Sequence, residues 1–136
     1  PAGKISSSAL DAERVRMDVV ANNMANAQSV GKDGNVYLRR VAIFQSAYEE
    51  ELGNGIDDLR GVKLLEVAND NSRKPSMEYM PFHPDADENG MVLKTNVSPM
   101  EEMVDMITVT RSYEANLSVI KESRKMADKT IDILKA

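Results

Sequence analysis

The stretch HPDADENG, His83 to Gly90, has the residue types of a metal loop. Asp85, Asp87 and Asn89 alternate and Gly90 follows, as in the front half of an EF-hand calcium loop, where oxygen ligands alternate and glycine makes the sharp turn. The match fails at the strongest ligand. Counted from Asp85, the closing position falls on Asn96, whereas the loop needs a carboxylate there to hold calcium through both oxygens. Pro81 and Pro84 also oppose an entering helix, because each removes an N–H and restricts the residue before it. A calcium-binding module using Asp85, Asp87 and Asn89 stays as an alternative. The better reading is an Asp/Asn/Gly turn joining two extended segments.

Other chemistry has less support. His83 is the only histidine and lies between Phe82 and Pro84, the setting of a packed or hydrogen-bonded loop residue, with no second histidine for a metal cluster. Ser6-Ser7-Ser8 lack the glycine context of a nucleophile elbow and read as the start of a helix. No glycine-rich loop leads into Lys-Ser/Thr, and there is no cysteine for a disulfide, a thiolate metal site or a nucleophile. Carboxylates are many but scattered over polar stretches, as on a solvated surface. The expectation is no enzyme: no catalytic residues, no cofactor and no metal.

Charge and composition narrow the class further. The net charge is -5, with three acids and three bases in residues 1–28, twelve and eight in 29–98, and seven and six in 99–136. The ends are near neutral, the middle is acidic, and no basic block offers a stripe for nucleic acid. Without Trp, and with two Phe and four Tyr, the core must come from aliphatic side chains and nine Met, a composition suited to helix packing. There is no apolar run of membrane-spanning length and no signal-peptide core near the N-terminus, so export would proceed without a conventional cleaved signal.

The elements that must position these residues are two long helices around a short middle. Ser98-Pro99-Met100-Glu101 supplies a capping hydroxyl, a proline at the first helical position and a carboxylate to answer the cap. From Met103, alternate steps of three and four reach Met106, Thr110, Tyr113, Leu117, Ile120, Arg124, Ala127, Ile131 and Leu134, a seam broken only at Thr110 and Arg124. Glu101, Glu102 and Asp105 stand at the end where the helix dipole favours acids. At the other end of the chain, Leu10, Met17 and Met24 recur every seven with Val20 and Ala21 beside them, and Ile5, Ala12 and Val19 form a second apolar series. Two faces predict contacts with more than one neighbouring helix, and nothing interrupts the helical run from Lys4 to Val30.

Between them, Lys32-Asp33-Gly34-Asn35 predicts a turn before a strand over 36–44. GVKLLEV, Gly61 to Val67, predicts a second strand, and shorter ones surround Tyr79 and Val92. Glu49-Glu50-Glu51 with Gly53, Gly55 and Gly61 reads as an acidic loop. The predicted fold is mainly α with a small β region: an N-terminal helix over 1–30, short β-hairpins over 31–97, and a C-terminal helix over 98–136, the helices forming a coiled-coil-like bundle.

Ala21-Asn22-Asn23-Met24-Ala25-Asn26-Ala27 puts three Asn within five residues of a helical segment, although Asn is a moderate helix former. One reading is a polar face that frays toward the next loop. The other is that the amides hydrogen-bond across a helix interface and fix register, with Arg111 to Asn116 as possible partners. The interface residues expected on these grounds are Leu10, Met17, Ala21, Asn22, Asn23, Met24, Asn26, Met103, Met106, Tyr113, Asn116, Leu117, Ile120, Ile131 and Leu134.

The chain resembles the flagellar rod, hook and axial-protein family, and within it the proximal basal-body rod subunits. The resemblance spans nearly the whole chain and is carried by ISSSALDAERVRMDVVANNMANAQS, YLRRVAIF, HPDADENGMV with Asn96-Val97, and EMVDMITVTRSYEAN. It departs at Met91, where an aromatic is common, and at Thr95, where a proline often stands. The resemblance implies terminal helices lining a tubular helical polymer, a β-rich region facing outward, export by the flagellar type III apparatus without signal cleavage, and a rod that crosses the periplasm and carries torque from motor to hook. It implies as partners the chain itself, rod subunits of the FlgB, FlgF, FlgG and FliE types and the export apparatus, with no nucleic acid and no membrane-spanning segment. A coiled-coil scaffold forming a closed oligomer would show the same heptads and remains the other alternative.

Overall fold

The computed structural model describes residues 2–46 and 62–135. Helix α1 (Ala2–Ala25) leads into strands β1 (Val30–Gly31), β2 (Arg40–Ser46), β3 (Val62–Asn69), β4 (Ser76–Tyr79) and β5 (Met91–Lys94), and helix α2 (Pro99–Lys135) follows. The architecture is mainly helical with small antiparallel sheets, as expected. The acidic stretch Glu49–Glu51 with its glycines, and the side chain of Ile5, lie outside the described residues.

Helix α2 begins where its capping signal sits, with the Glu102 amide closing the first turn on the Ser98 carbonyl at 3.1 Å. Glu101, expected to answer the cap, is ion-paired with Arg73 of the preceding loop. Helix α1 stops at Ala25 rather than running to Val30. Its last turn tightens because the Asn26 amide is shared between the Asn22 and Asn23 carbonyls, both at 3.2 Å, and the Ala27 amide reaches back only to Met24. The Asn26 side chain donates to the Asn22 carbonyl at 2.8 Å, closing the helix end with the group that interrupts it.

The two helices pack antiparallel. Asn23, near the end of α1, bonds Glu102 in the first turn of α2, while Ser7, near its start, shares a groove with Ile120, Ser123, Arg124 and Ala127. With 37 residues against 24, α2 is about 55 Å long and α1 about 36 Å at 1.5 Å per residue. The last turns of α2 therefore run past the start of α1.

The side of α2 that is covered is not quite the seam counted from the sequence. Met106, Tyr113 and Ile120 are half-buried as counted, but Glu102 and Val109 are buried in place of Met103 and Thr110, and Ser123 is covered while Arg124 is exposed. The most buried positions of α2, Glu102 and Val109, lie beside that seam, and Glu102 is held inward by Asn23 and Arg39. Met103 is left outside as a result.

Strands β1, β5 and β4 form one antiparallel sheet in that order, and β2 and β3 form a separate two-stranded ribbon with a bulge between Ile43 and Phe44. The expected turn is present: Asp33 and Gly34 both have positive φ, and the Asn35 amide bonds the Lys32 carbonyl at 3.0 Å. Strand β2 starts at Arg40 instead of Val36, and the Arg39 amide just before it bonds Asn96 Oδ1 instead of a neighbouring strand. The ribbon crosses α1, with Arg40 on Asn23, the Arg16 guanidinium 5.0 Å from the Phe44 ring centroid, and the Val62 amide on Ser8 Oγ at 2.8 Å. Ser8, Ala12, Arg16 and Val19 lie on one helix face. The second apolar series of α1 thus meets the chain's own ribbon, where the sequence had predicted a neighbouring helix. The buried apolar residues are few among those described: Val20, Ala27, Val92, Val97 and Val109.

Candidate functional site

Asn23 is fully buried, and its carboxamide has all four hydrogen-bonding positions filled. The oxygen accepts from the Arg40 amide at 2.9 Å and the Tyr37 hydroxyl at 2.6 Å, while the nitrogen donates to the Arg40 carbonyl at 2.9 Å and to Glu102 Oε2 at 3.2 Å. Toward Arg40 the side chain acts as one residue of a strand, exchanging both backbone bonds. Asn96 does the same from the other side: its oxygen accepts from the Arg39 amide at 2.6 Å and its nitrogen donates to the Asp70 and Arg73 carbonyls, both at 3.0 Å. Two adjacent residues of the middle segment are held between two asparagines, one on α1 and one just before α2.

Arg39 closes the arrangement. Its Nε donates to Glu102, its Nη1 to Asp70 at 2.9 Å and its Nη2 to Asp105 at 3.2 Å, joining the middle segment, the loop after β3 and the first turns of α2. Glu102 has no exposed surface, so its charge is sustained by Arg39 and Asn23. Burial opposes the Arg39 charge, but the hydrogen bond and charge of Glu102, with those of Asp70, outweigh it and hold the guanidinium pKa above its ordinary value. Asp70 is held below the usual carboxylate value by the hydroxyl and backbone N–H of Ser72, which outweigh the opposing effect of burial, with Arg39 adding to the lowering. Burial raises the Tyr37 pKa, opposed by Arg40 and by the Asn22 hydrogen bond. These groups are saturated with one another and form a clamp at the head of the helix pair.

The expected interface residues separate into distinct roles. Asn23 belongs to the clamp, Asn22 is exposed and donates to the Tyr37 hydroxyl at 3.1 Å, and Asn26 ends α1. On α2 it is Glu102, not the segment from Arg111 to Asn116, that Asn23 meets. Leu10, Met17, Met106, Tyr113, Asn116, Leu117 and Ile120 are half-buried along the helix pair, and Ala21, Met24, Met103, Ile131 and Leu134 are exposed. Arg39, Asp70, Asn96, Glu102 and Asp105 were not singled out as site residues. The available signal was the pair Arg39-Arg40 at the head of an apolar strand, together with the i, i+3 spacing of Glu102 and Asp105 in a helix whose other end is basic.

HPDADENG connects β4 to β5 as a turn. Asp87 Oδ1 accepts from the amides of Asn89 at 2.8 Å and Met91 at 2.9 Å, and His83 Nδ1 accepts from the Asp85 amide at 3.0 Å. Of the side chains that resembled ligands, Asp87 serves the loop backbone as an Asx turn.

Two family models match the chain: one described as flagella basal body rod protein over residues 4–31, and one described as flagellar basal body rod FlgEFG protein C-terminal over residues 88–133. The chain is 37% identical to the flagellar basal-body rod protein FlgC of Bacillus subtilis, the alignment covering 95% of the chain and 93% of the relative. It is 37% identical to the protein of the same description from Agrobacterium fabrum, over 99% and 94%, and 36% identical to that from Salmonella typhimurium, over 95% and 92%. The first model spans Asn22, Asn23 and Asn26 and the second spans Glu102 and Asp105, while Arg39 and Asp70 fall between them.

Proposed function

The chain belongs to the FlgC family of flagellar basal-body rod proteins and is a structural subunit of the rod, and from that premise we propose how its surfaces build that structure. It joins a tubular helical polymer through α1 and α2, packed in a coiled-coil-like manner against neighbouring subunits. Its neighbours are further copies of itself and rod subunits of the FlgB, FlgF, FlgG and FliE types. The polymer crosses the periplasm and carries torque from motor to hook, and its subunits reach it through the type III apparatus without signal cleavage. Among the described residues no helix is long and apolar enough to cross a membrane.

One observation carries this reading: α2 exposes two apolar patches on a single helix. Met100, Met103, Val104 and Ile107 form the first, and Met126, Ile131, Ile133 and Leu134 the second, with Ile133 75% and Leu134 80% exposed. Patches at opposite ends of one helix suit head-to-tail contacts, which propagate an assembly instead of closing it. The clamp fixes the start of α2 and with it the first patch. This disfavours a closed coiled-coil scaffold, and of the ligands the calcium alternative needs, Asp87 is engaged by backbone amides.

The test is to replace Ile133 and Leu134 by Asp together. The variant is expected to melt as the parent chain does and to be exported, but to leave cells without rods. Rods of normal length and number would overturn the role given to this end of α2. Closed dimers or trimers of the purified parent chain in sedimentation would favour the scaffold.

A further inference from the structure

We propose that the β4–β5 turn is a knob whose Phe82 ring seats in the cleft between α1, β2 and α2 of a second copy of this chain. The inference rests on the rod-subunit reading and supplies one of its contacts.

The knob is rigid and has no role within its own chain. The amides of Met80, His83 and Ala86 bond the carbonyls of Gly90, Met80 and His83 at 2.8, 3.0 and 3.0 Å, and Asp87 holds the far side. Gly90 has φ 77°, and a Cβ there would lie 2.8 Å from Tyr79 Cε2, so the chain reverses tightly against the strand. On this frame Phe82 is 100% exposed, with Met80, Pro81 and Pro84 around it and Tyr79 largely exposed alongside. An aromatic side chain held out by a hydrogen-bonded turn has already lost the conformational freedom that binding would otherwise remove. That is the anatomy of an interface anchor.

The cleft complements it. Its volume is about 310 Å³ and its apolar floor is Val19, Val20, Val41, Ala42 and Val109. Arg16 and Arg40 line it as well, stacked over Phe44 and Tyr37 at 5.0 and 5.9 Å. Neither has a carboxylate partner among the described residues, and each guanidinium can take a second ring on its open face. Glu13 also lines the cleft, and Arg39 is already surrounded by Glu102, Asp70 and Asp105, so the cations left open to an acid of a partner are Arg16 and Arg40. The same turn carries the exposed acid Glu88. Knob and cleft are different patches of one chain, and full exposure of Phe82 means they do not meet within it. Their contact between copies is head-to-tail, as a growing rod requires.

The chain has no cysteine, so introduced thiols report proximity cleanly. Phe82→Cys and Ala42→Cys chains are co-produced in flagellated cells, and isolated basal bodies are oxidised. A disulfide-linked dimer of this chain that requires both variants is the expected result. Assembled rods without that dimer, or with Phe82→Cys linked to a component of another mass, would overturn the proposal while leaving the rod-subunit reading intact. Phe82→Ala should melt unchanged yet reduce incorporation about thirtyfold, the size of a hot-spot truncation; unchanged incorporation would again overturn it. Should the cysteine variants not assemble, Arg16→Glu and Glu88→Arg decide. Each alone is expected to impair incorporation and the pair to restore it, whereas additive loss counts against the knob.

Discussion

At the scale of single residues, the clamp makes the largest demands. Arg39→Met leaves Glu102 buried without its cation, and the expected loss is about 3–5 kcal/mol of unfolding free energy in a denaturant titration. Adding Glu102→Leu should recover most of that loss, since an apolar pair has no desolvation cost to offset. A double variant no better than the single would show that Asn23 alone sustains the Glu102 charge. Asp70 gives a pH dependence of defined sign. Its folded pKa lies below the ordinary 3.8, so its contribution is complete above that value and is lost as pH falls through the lower folded value. The melting temperature should decline below about pH 4, and less steeply in Asp70→Asn; parallel profiles would remove Asp70 from the account. The asparagine run was legible as unusual in the sequence, but the division of labour within it was not. Composition cannot tell a buried carboxamide with four partners from an exposed one with a single partner, because the partners lie 14 to 79 residues away.

At the scale of elements, the signals that could be read locally are local in origin. Ser98-Pro99 starts α2, Asp33-Gly34 turns the chain, and the β-branched runs become β2 and β3, since each depends on nearest neighbours along the chain. The boundaries that moved did so through long-range contacts. The Arg39 amide ahead of β2 is taken by Asn96, and on α2 Glu102 is buried while Met103 is left exposed. The unsupported end of α2 leads to a further expectation. A helix without tertiary contacts is marginal in water, so amides of residues 124–135 should exchange rapidly in the dilute subunit. In the assembled rod they should slow by at least about tenfold. Full protection in the isolated subunit would mean that this end of the helix is ordered before assembly.

At the scale of the whole molecule, the described chain has few buried apolar residues and many large apolar ones at its surface: both ends of α2, the ribbon and the β4–β5 knob. A monomeric protein rarely leaves such patches open, and membership of a rod family supplies the reason. The clamp fixes α1, the middle segment and the start of α2 to one another, so that the patch at the start of α2 keeps a constant geometry relative to α1. Sequence by itself determined the two long helices, the turn at HPDADENG and the family, because helical periodicity, turn chemistry and motif are properties of residues close together along the chain. Only the tertiary structure decided that one arginine gathers three carboxylates from two distant segments, that the second face of α1 is covered by its own ribbon, and which apolar side chains remain outside. Burial and ion pairing depend on which distant segments meet, and that is set when the whole chain packs.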